Sequence, residues 1–218
     1  MAKSISFVLV GEGSSDAALK LPLEMLCVEC GAHEARGEAP DLSRLPDPPG
    51  HSIKDKLAYA IDAYEGVDII FVHRDADRAG IDARDEEIEE AAREVDANVP
   101  YVPVIPVRAL EAWLIVDEQE IRQAVGNPQG RMDLGLPSPP REVERVPDPK
   151  GTLREALVVA SGKRGRQLDK VKGNFGKHRA ILAARLAGDG AVSRVPSWQR
   201  LKERTRNAIN GAVMWSTT

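Results

Sequence analysis

Residues 67–80, VDIIFVHRDADRAG, predict the fold class of this chain of 218 residues. The first six residues of the stretch are mostly apolar and β-branched, which is typical of a strand buried on both faces of a parallel sheet. Two aspartates separated by one residue, Asp75 and Asp77, follow directly. Because ligands bind beyond the carboxyl ends of the strands in open α/β sheets, we expect this acidic segment to lie at a functional site.

Strand and helix patterns alternate over residues 1–125. Their alternation predicts an α/β fold, with a Rossmann-like parallel sheet that helices cover on both faces. Two prolines place the last strand near a sheet edge. The predicted order is strand 5–10, helix 14–31, loop 32–51 with room for a short edge strand, helix 52–64, strand 67–72, helix 82–96, strand 101–107 and helix 108–125.

The remaining residues, 126–218, are predicted to form a proline-rich connection and a basic helical extension that packs on the core. Helices are expected over 151–161, 177–187 and 197–212. Residues 1–140 contain 13 Lys and Arg against 27 Asp and Glu, whereas residues 141–218 contain 17 against 7. An acidic part joined to a basic part suggests a metal site beside an anion-binding surface, although attraction between the two parts explains the same pattern.

The composition favours a protein of the cytoplasm. Hydrophobic residues make up 42% of the chain, but no segment has the length of a signal-peptide core or a membrane span. Cys27 and Cys30 form a single C-x-x-C, which lacks the second pair of ligands that zinc requires. Gly31 places them at the end of a helix and not at its reactive start, so two reduced, partly buried thiols are expected.

A second acidic residue follows the first predicted strand, in the segment GEGSSD at 11–16. If the two strands are neighbours, Glu12 meets Asp75 and Asp77 at one edge of the sheet, where carboxylate oxygens suit Mg²⁺. Asp16 either joins them or stabilises the start of the next helix. The chain lacks the third glycine of a dinucleotide-binding loop and the G-K-S/T of a P-loop. Its first strand also carries Glu where haloacid-dehalogenase-like phosphatases carry D-x-D.

This arrangement, Glu-Gly-x-x-Asp after one strand and Asp-x-Asp after a later one, resembles the Toprim superfamily of topoisomerases, primases and OLD-type nucleases. The segments PVRALEAWL (106–114), PDPK (147–150) and PSW (196–198) extend the likeness to a small bacterial branch, some members of which are linked to antiphage defence. The resemblance implies phosphodiester chemistry, with Mg²⁺ or alternatively Mn²⁺ as the metal. It further implies that Glu12 acts as a general acid–base and that Asp75 and Asp77 are metal ligands, with Gly13 and Asp16 also on the motif.

Glu111 lies in a segment that is otherwise apolar, beside Leu110, Trp113 and Leu114. Burying a carboxylate is costly unless a cation or a metal accompanies it. Glu111 is therefore predicted either to join the metal site or to form a buried pair with Arg108. Trp113 is predicted to be a core side chain.

The run 163–179, KRGRQLDKVKGNFGKHR, is rich in Lys, Arg and Gly and is predicted to be a loop. Such a loop can follow the phosphates of a nucleic acid, and the alternative is a solvated loop. A lysine before a helix, at 150, is either a phosphate contact or a surface residue. The predicted nucleic-acid contacts are Lys150, Lys163, Arg164, Arg166, Lys170, Lys172, Lys177 and Arg179.

Together these features predict a Mg²⁺-dependent nuclease or related phosphodiester-cleaving enzyme whose catalytic carboxylates are Glu12, Asp75, Asp77 and Glu111. The alternative is a non-catalytic Toprim-like module that binds nucleic acid, a nucleotide or a partner ATPase, the last by analogy with OLD-type systems. Metal-dependent cleavage of nucleic acid distinguishes the two hypotheses.

Overall fold

The computed structural model describes residues 3–95 and 97–215, with side chains described up to residue 211. Within these residues, one sheet of four parallel strands has the order β2-β1-β3-β4. The predicted α/β fold with a parallel sheet is therefore confirmed. The strands are β1 (Ser4–Val10), β2 (Glu34–Glu38), β3 (Ile69–His73) and β4 (Tyr101–Val104).

Nine α-helices accompany the sheet in the described part of the chain, together with four short 3-10 helices. No helix among these residues is long and apolar enough to cross a membrane. The α-helices are α1 (Lys20–Glu29), α2 (Ile53–Ala63), α3 (Ile81–Glu94), α4 (Glu111–Leu114), α5 (Glu118–Ala124), α6 (Pro149–Ser161), α7 (Gly165–Gly173), α8 (Phe175–Ala184) and α9 (Pro196–Trp215). The 3-10 helices are Ser14–Leu19, Leu42–Arg44, Pro140–Arg145 and Ala191–Arg194.

Helices cover both faces of the sheet, as the continuous apolar runs of its inner strands require. Alternate residues of β1 point to opposite faces, so Phe7 and Leu9 enter one hydrophobic cluster while Val8 and Val10 enter another. The first cluster also receives side chains from α1 and from α4, α6, α8 and α9. The second receives those of α2 and α3. The described part of the C-terminal extension thus shares the larger core with the sheet.

Two tryptophans connect the extension to the core. Trp113 of α4 and Trp198 of α9 are fully buried, and their rings meet edge to face with centroids 5.0 Å apart. The Trp113 indole also donates a hydrogen bond to the Ser197 hydroxyl at 2.8 Å. The prediction that Trp113 is a core side chain is confirmed. The contact also brings together the EAWL and PSW segments that carry the resemblance described above.

Most of the run 163–179 is helical, so the predicted loop is wrong. Helix α7 covers most of the run and α8 begins at Phe175. The glycines at 165 and 173 lie at the ends of α7, whereas its interior consists largely of good helix formers such as Arg, Gln, Leu and Lys. Val171 and Phe175 pack against the larger core and anchor the segment.

The segment 108–125 also differs from the single helix that was expected, because it divides into α4 and α5. The Asp117 carboxylate accepts hydrogen bonds from the backbone N–H groups of Gln119 and Glu120, and so caps a new helix. The expected edge position of β4 is confirmed, although the strand ends at Val104.

The two cysteines are free and buried near the end of α1, as predicted. Burial raises the pKa of Cys27 to about 12, and the neighbouring Cys30 adds to the effect. Burial also raises the pKa of Cys30. Both thiols therefore stay protonated at neutral pH and do not present a reactive thiolate.

Gly37 on the edge strand β2 has no room for a side chain. A Cβ atom there would lie 2.2 Å from the ring of Phe7, which packs edge-on against Phe71. We expect Gly37→Ala to lower the free energy of unfolding by about 1–3 kcal/mol, because the buried ring must move. Urea unfolding measures the change. The control is Gly211→Ala in α9, whose added Cβ meets nothing within 4 Å. A Gly37→Ala variant as stable as wild type would contradict the packing described.

Candidate functional site

One cleft at the carboxyl edge of the sheet collects the predicted acidic residues. Strands β1 and β3 are adjacent and parallel, with Val10 opposite Val72, so the segments that follow them leave the sheet side by side. The cleft beyond these strand ends has a volume of about 770 Å³. All five predicted acidic residues line it: Glu12, Asp16, Asp75, Asp77 and Glu111.

The same cleft is also lined by basic side chains. Of the predicted nucleic-acid contacts, Lys150 and Arg179 line it. Three further arginines, which are not among the predicted nucleic-acid contacts, also line it: Arg78, Arg108 and Arg154. The other predicted contacts are exposed outside the cleft, on α7 and α8 or just before α7: Lys163, Arg164, Arg166, Lys170, Lys172 and Lys177.

The loop that carries Glu12 is held by a lysine of α2. The ammonium of Lys56 donates hydrogen bonds to the carbonyls of Gly11 at 2.9 Å and Glu12 at 3.2 Å. A Cβ atom at Gly11 would lie 3.0 Å from the Cβ of Asp16, so glycine permits the close approach of the two segments. These contacts fix where Glu12 enters the cleft.

Asp16 shapes this loop from inside. It is 3% exposed, and its Oδ2 accepts hydrogen bonds from the backbone N–H groups of Glu12 at 2.9 Å and Gly13 at 3.3 Å. Burial alone would raise the pKa of Asp16, but hydrogen bonds and charge from His73, with smaller effects of Gly13 and Arg179, hold it well below its usual range. Asp16 is therefore ionised, and its position combines the two predicted alternatives of site residue and helix-start residue.

His73 joins two of the carboxylates and was not assigned from the sequence. It is 2% exposed, its Nδ1 lies 3.0 Å from Asp16 Oδ2, and its Nε2 lies 3.5 Å from Asp75 Oδ1. The second distance is that of an ion pair and is too long for a good hydrogen bond. Burial would lower the pKa of His73, but Asp16 and Asp75 outweigh it and raise the pKa to about 9. The position at the end of a buried strand, two residues before Asp75, was the available signal.

Three of the predicted metal-binding carboxylates, Glu12, Asp75 and Asp77, each accept a hydrogen bond through one oxygen. Arg74 donates to Glu12 Oε1 at 2.7 Å, the Leu110 N–H to Asp75 Oδ1 at 2.8 Å, and Arg84 to Asp77 Oδ2 at 3.2 Å. The second oxygen of each carboxylate has no hydrogen bond to the described residues. Three hard oxygen donors are therefore left in one cleft.

This donor set suits Mg²⁺ or Mn²⁺, both of which prefer carboxylate oxygens. Burial, followed by the charge of Asp75, raises the pKa of Glu12 in spite of Arg74 and His73, and an added cation would relieve this. Among the described residues, however, no three His, Cys, Asp or Glu side chains are gathered closely enough to hold a metal together. A metal ion bound here would therefore require these carboxylates to move closer together than they lie in this structure.

Glu111 is buried in an ion pair, but Arg108 is the wrong partner. The Nε of Arg179 in α8 donates to Glu111 Oε1 at 2.9 Å, and Glu111 is 4% exposed. The same guanidinium donates to the carbonyl of Ser15 and lies 3.7 Å from Asp16. Arg179 therefore joins the extension to the cleft, instead of standing free on a basic surface.

Stability is expected to depend on pH through His73, whose pKa is higher in the folded protein, at about 9, than its ordinary 6.5. The charged imidazole therefore stabilises the fold fully below about pH 6.5, and this contribution is lost as the pH rises through 9. The contribution of Asp16 to stability has the opposite pH dependence, because its pKa is lower in the folded protein than its ordinary 3.8. This contribution is present above about pH 3.8 and is lost on acidification.

We expect the free energy of unfolding in metal-free buffer to fall between pH 6.5 and 9, and His73→Gln to flatten this slope. Urea unfolding across the pH range measures both. The buried cysteines contribute equally to both proteins, so the difference between the two curves isolates His73. The same slope in both would contradict the charged state of the imidazole.

No protein-family profile, curated protein or solved structure matches the chain. The assignment of a function therefore rests on the geometry of the cleft. The Toprim resemblance stays a prediction from the motifs.

Proposed function

We propose that the chain is a Toprim-like nuclease that cleaves phosphodiester bonds with the help of Mg²⁺ or Mn²⁺. One observation carries the proposal: carboxylates from two adjacent parallel strands line the same cleft as Lys150, Arg154 and Arg179. An acidic wall beside a basic wall suits a metal ion together with the phosphate that it acts on. The resemblance to the bacterial branch extends the proposal to a role in antiphage defence.

The residues of the cleft have separable roles in this proposal. Glu12, Asp75 and Asp77 would hold the cation, which when bound polarises the phosphate and lowers the pKa of an attacking water. Glu12, whose pKa is raised by burial, is suited to accept and return a proton. The contacts from His73 and the Leu110 N–H fix Asp75 in place.

The basic residues bind and orient the substrate. Lys150 and Arg154 lie in the first half of α6 and line the cleft, where they can contact phosphate oxygens. Arg179 is held by Glu111, to which we therefore assign the role of orienting that guanidinium. In the prediction from sequence, Glu111 was instead a fourth metal ligand.

The test is cleavage of plasmid DNA, single-stranded DNA and RNA by purified protein with Mg²⁺, Mn²⁺ or EDTA. The proposal predicts cleavage of at least one substrate in either metal and none in EDTA. Glu12→Gln should abolish it because the amide cannot accept the proton. Cleavage that persists in EDTA or in Glu12→Gln contradicts the proposed chemistry.

A second candidate function is a non-catalytic module that binds nucleic acid, a nucleotide or a partner ATPase. The pairing of Glu12 with Arg74 and of Asp77 with Arg84 favours it, because the protein's own arginines already neutralise these carboxylates. This alternative predicts nucleic-acid binding without cleavage of any substrate in either metal.

The exposed lysines of α7 are expected to contact phosphates. Reversing two of them, with Lys170→Glu and Lys172→Glu, should weaken binding of single-stranded DNA and reduce the slope of log K against log salt by about 0.7 for each lost contact. Fluorescence anisotropy over a salt series measures both. The control carries the same charge change at two exposed arginines, Arg141→Glu and Arg194→Glu. An unchanged slope in the α7 variant would show that its lysines are merely solvated.

A further inference from the structure

A second hollow adjoins the cleft, and the proposed chemistry does not use it. It lies between α6 and the segment formed by α7 and the start of α8, and it has a volume of about 560 Å³. Its lining is mainly apolar, with the buried Leu157 and the half-buried Val158, Val171 and Phe175. A hollow of this size that is left partly open to solvent is suited to an apolar ligand group.

Two residues, Arg154 and Phe175, line both the hollow and the cleft. The guanidinium of Arg154 lies 4.5 Å from the centroid of the Phe175 ring, in a cation–π contact. The passage between the two spaces therefore contains a positive charge and an aromatic ring. Lys172 adds a second cation to the lining of the hollow.

The occupant of such a hollow has to combine a flat apolar group with a neighbouring anion. An apolar molecule alone would leave the two cations unused, and a phosphate alone would leave the apolar lining unused. A nucleotide unit has both features, because every base has a π-face that packs on apolar and aromatic side chains while its phosphate pairs with Arg or Lys. The carboxylate of Glu155, also in the lining, can accept a hydrogen bond from a base amino group.

We propose that the hollow binds one unpaired nucleobase of a single-stranded nucleic acid whose adjoining phosphate lies in the cleft. The inference rests on the proposed function, since it takes the substrate to be nucleic acid. A base inside a duplex is paired and stacked and cannot enter without being flipped out. The hollow therefore selects single strands, loops or frayed ends over intact duplex.

The test measures binding in EDTA, so that cleavage does not interfere. Fluorescein-labelled single-stranded DNA of twelve nucleotides is compared with a set in which each position in turn is abasic, and the same set is made in RNA. We expect one abasic position to weaken binding to wild type by about tenfold, the range given by base–aromatic stacking. A blunt duplex of the same sequence should bind more weakly than the single strand.

Filling the hollow provides the matched variant. Val158→Trp should lower the affinity for the intact strand to that for the abasic strand, so that the abasic penalty disappears. Met132→Trp adds the same side chain at a position that is 60% exposed and lines neither space, and it should keep the penalty. Phe175→Leu keeps an apolar side chain but removes the aromatic face, so it should reduce the loss of affinity that the abasic position causes. This variant replaces Val158→Trp in the test if Val158→Trp does not fold.

The outcomes separate this inference from the proposed function. Equal affinity of wild type for intact and abasic strands, or an abasic penalty that survives in Val158→Trp, overturns the base site, even if the protein cleaves DNA. A penalty at one position that Val158→Trp removes supports the site, even if no substrate is cleaved in metal. Absence of binding to every single strand overturns it as well.

Discussion

Asp75→Asn is expected to reduce metal-dependent cleavage by at least about 100-fold, the loss typical when one group that stabilises transition-state charge is removed. The amide keeps the oxygen that accepts the hydrogen bond from the Leu110 N–H, so the start of α4 should stay in place. What the variant loses is the negative charge beside Glu12 that would attract the cation. Single-turnover cleavage of single-stranded DNA at a fixed Mg²⁺ concentration measures the rate.

The matched control is Asp82→Asn, at the start of α3. The Asp82 side chain is 93% exposed and does not line the cleft. The Asp82→Asn variant should cleave single-stranded DNA at the wild-type rate. If the folded Asp75→Asn protein cleaves as fast as this control, Asp75 is not a catalytic residue.

Arg179→Met is expected to destabilise the protein by about 3–5 kcal/mol, because it leaves a buried carboxylate without its cation. Glu111 is 4% exposed and accepts a hydrogen bond from Arg179, and Asp16 lies within ion-pair distance of the same guanidinium. For a chain of this length, the loss corresponds to a fall in melting temperature of roughly 6–20 °C. Thermal and urea unfolding measure it.

A double variant shows whether the uncompensated charge is the cause. Arg179→Met combined with Glu111→Gln should be more stable than Arg179→Met alone, since the charge on Glu111 is then removed as well. A double variant that is less stable than either single variant would point to lost packing and not to the buried charge.

The same measurements decide the role of Glu111. Melting curves of Glu111→Gln with and without Mg²⁺ should show an equal loss of stability if Glu111 serves only to hold Arg179. A loss of the stabilisation that Mg²⁺ gives to wild type would instead make Glu111 a metal ligand, the role predicted from the sequence.

Local sequence patterns were sufficient to predict the sheet and the acidic residues at the edge of the cleft. The apolar runs of β1 and β3 predict buried parallel strands, and parallel strands bring the residues after them to one edge. Glu12 and Asp75 were predicted to meet on the condition that these two strands are neighbours, which they are. The helix α7 was missed because the glycines that suggested a loop mark only the two ends of a helix.

Ion pairs between segments that are distant in the chain could not be predicted from the sequence. His73 and Asp16 are 57 positions apart, and Glu111 and Arg179 are 68 positions apart. Spacing along the chain suggests partners only within a few positions, and Arg108 was accordingly the alternative partner named for Glu111. The pairing of Glu12 with Arg74 depends likewise on the adjacency of β1 and β3, and charge alone does not predict it.

Binding of Mn²⁺, measured by electron paramagnetic resonance, tests the central claim that the carboxylates of this cleft form a divalent-cation site. The free-ion signal should decrease as wild type or Asp82→Asn is added and should remain unchanged with Asp75→Asn or with Glu12→Gln. Added Mg²⁺ should restore the signal in wild type by competition. Binding of Mn²⁺ that is the same in wild type and Asp75→Asn, or absent in wild type, would contradict the account.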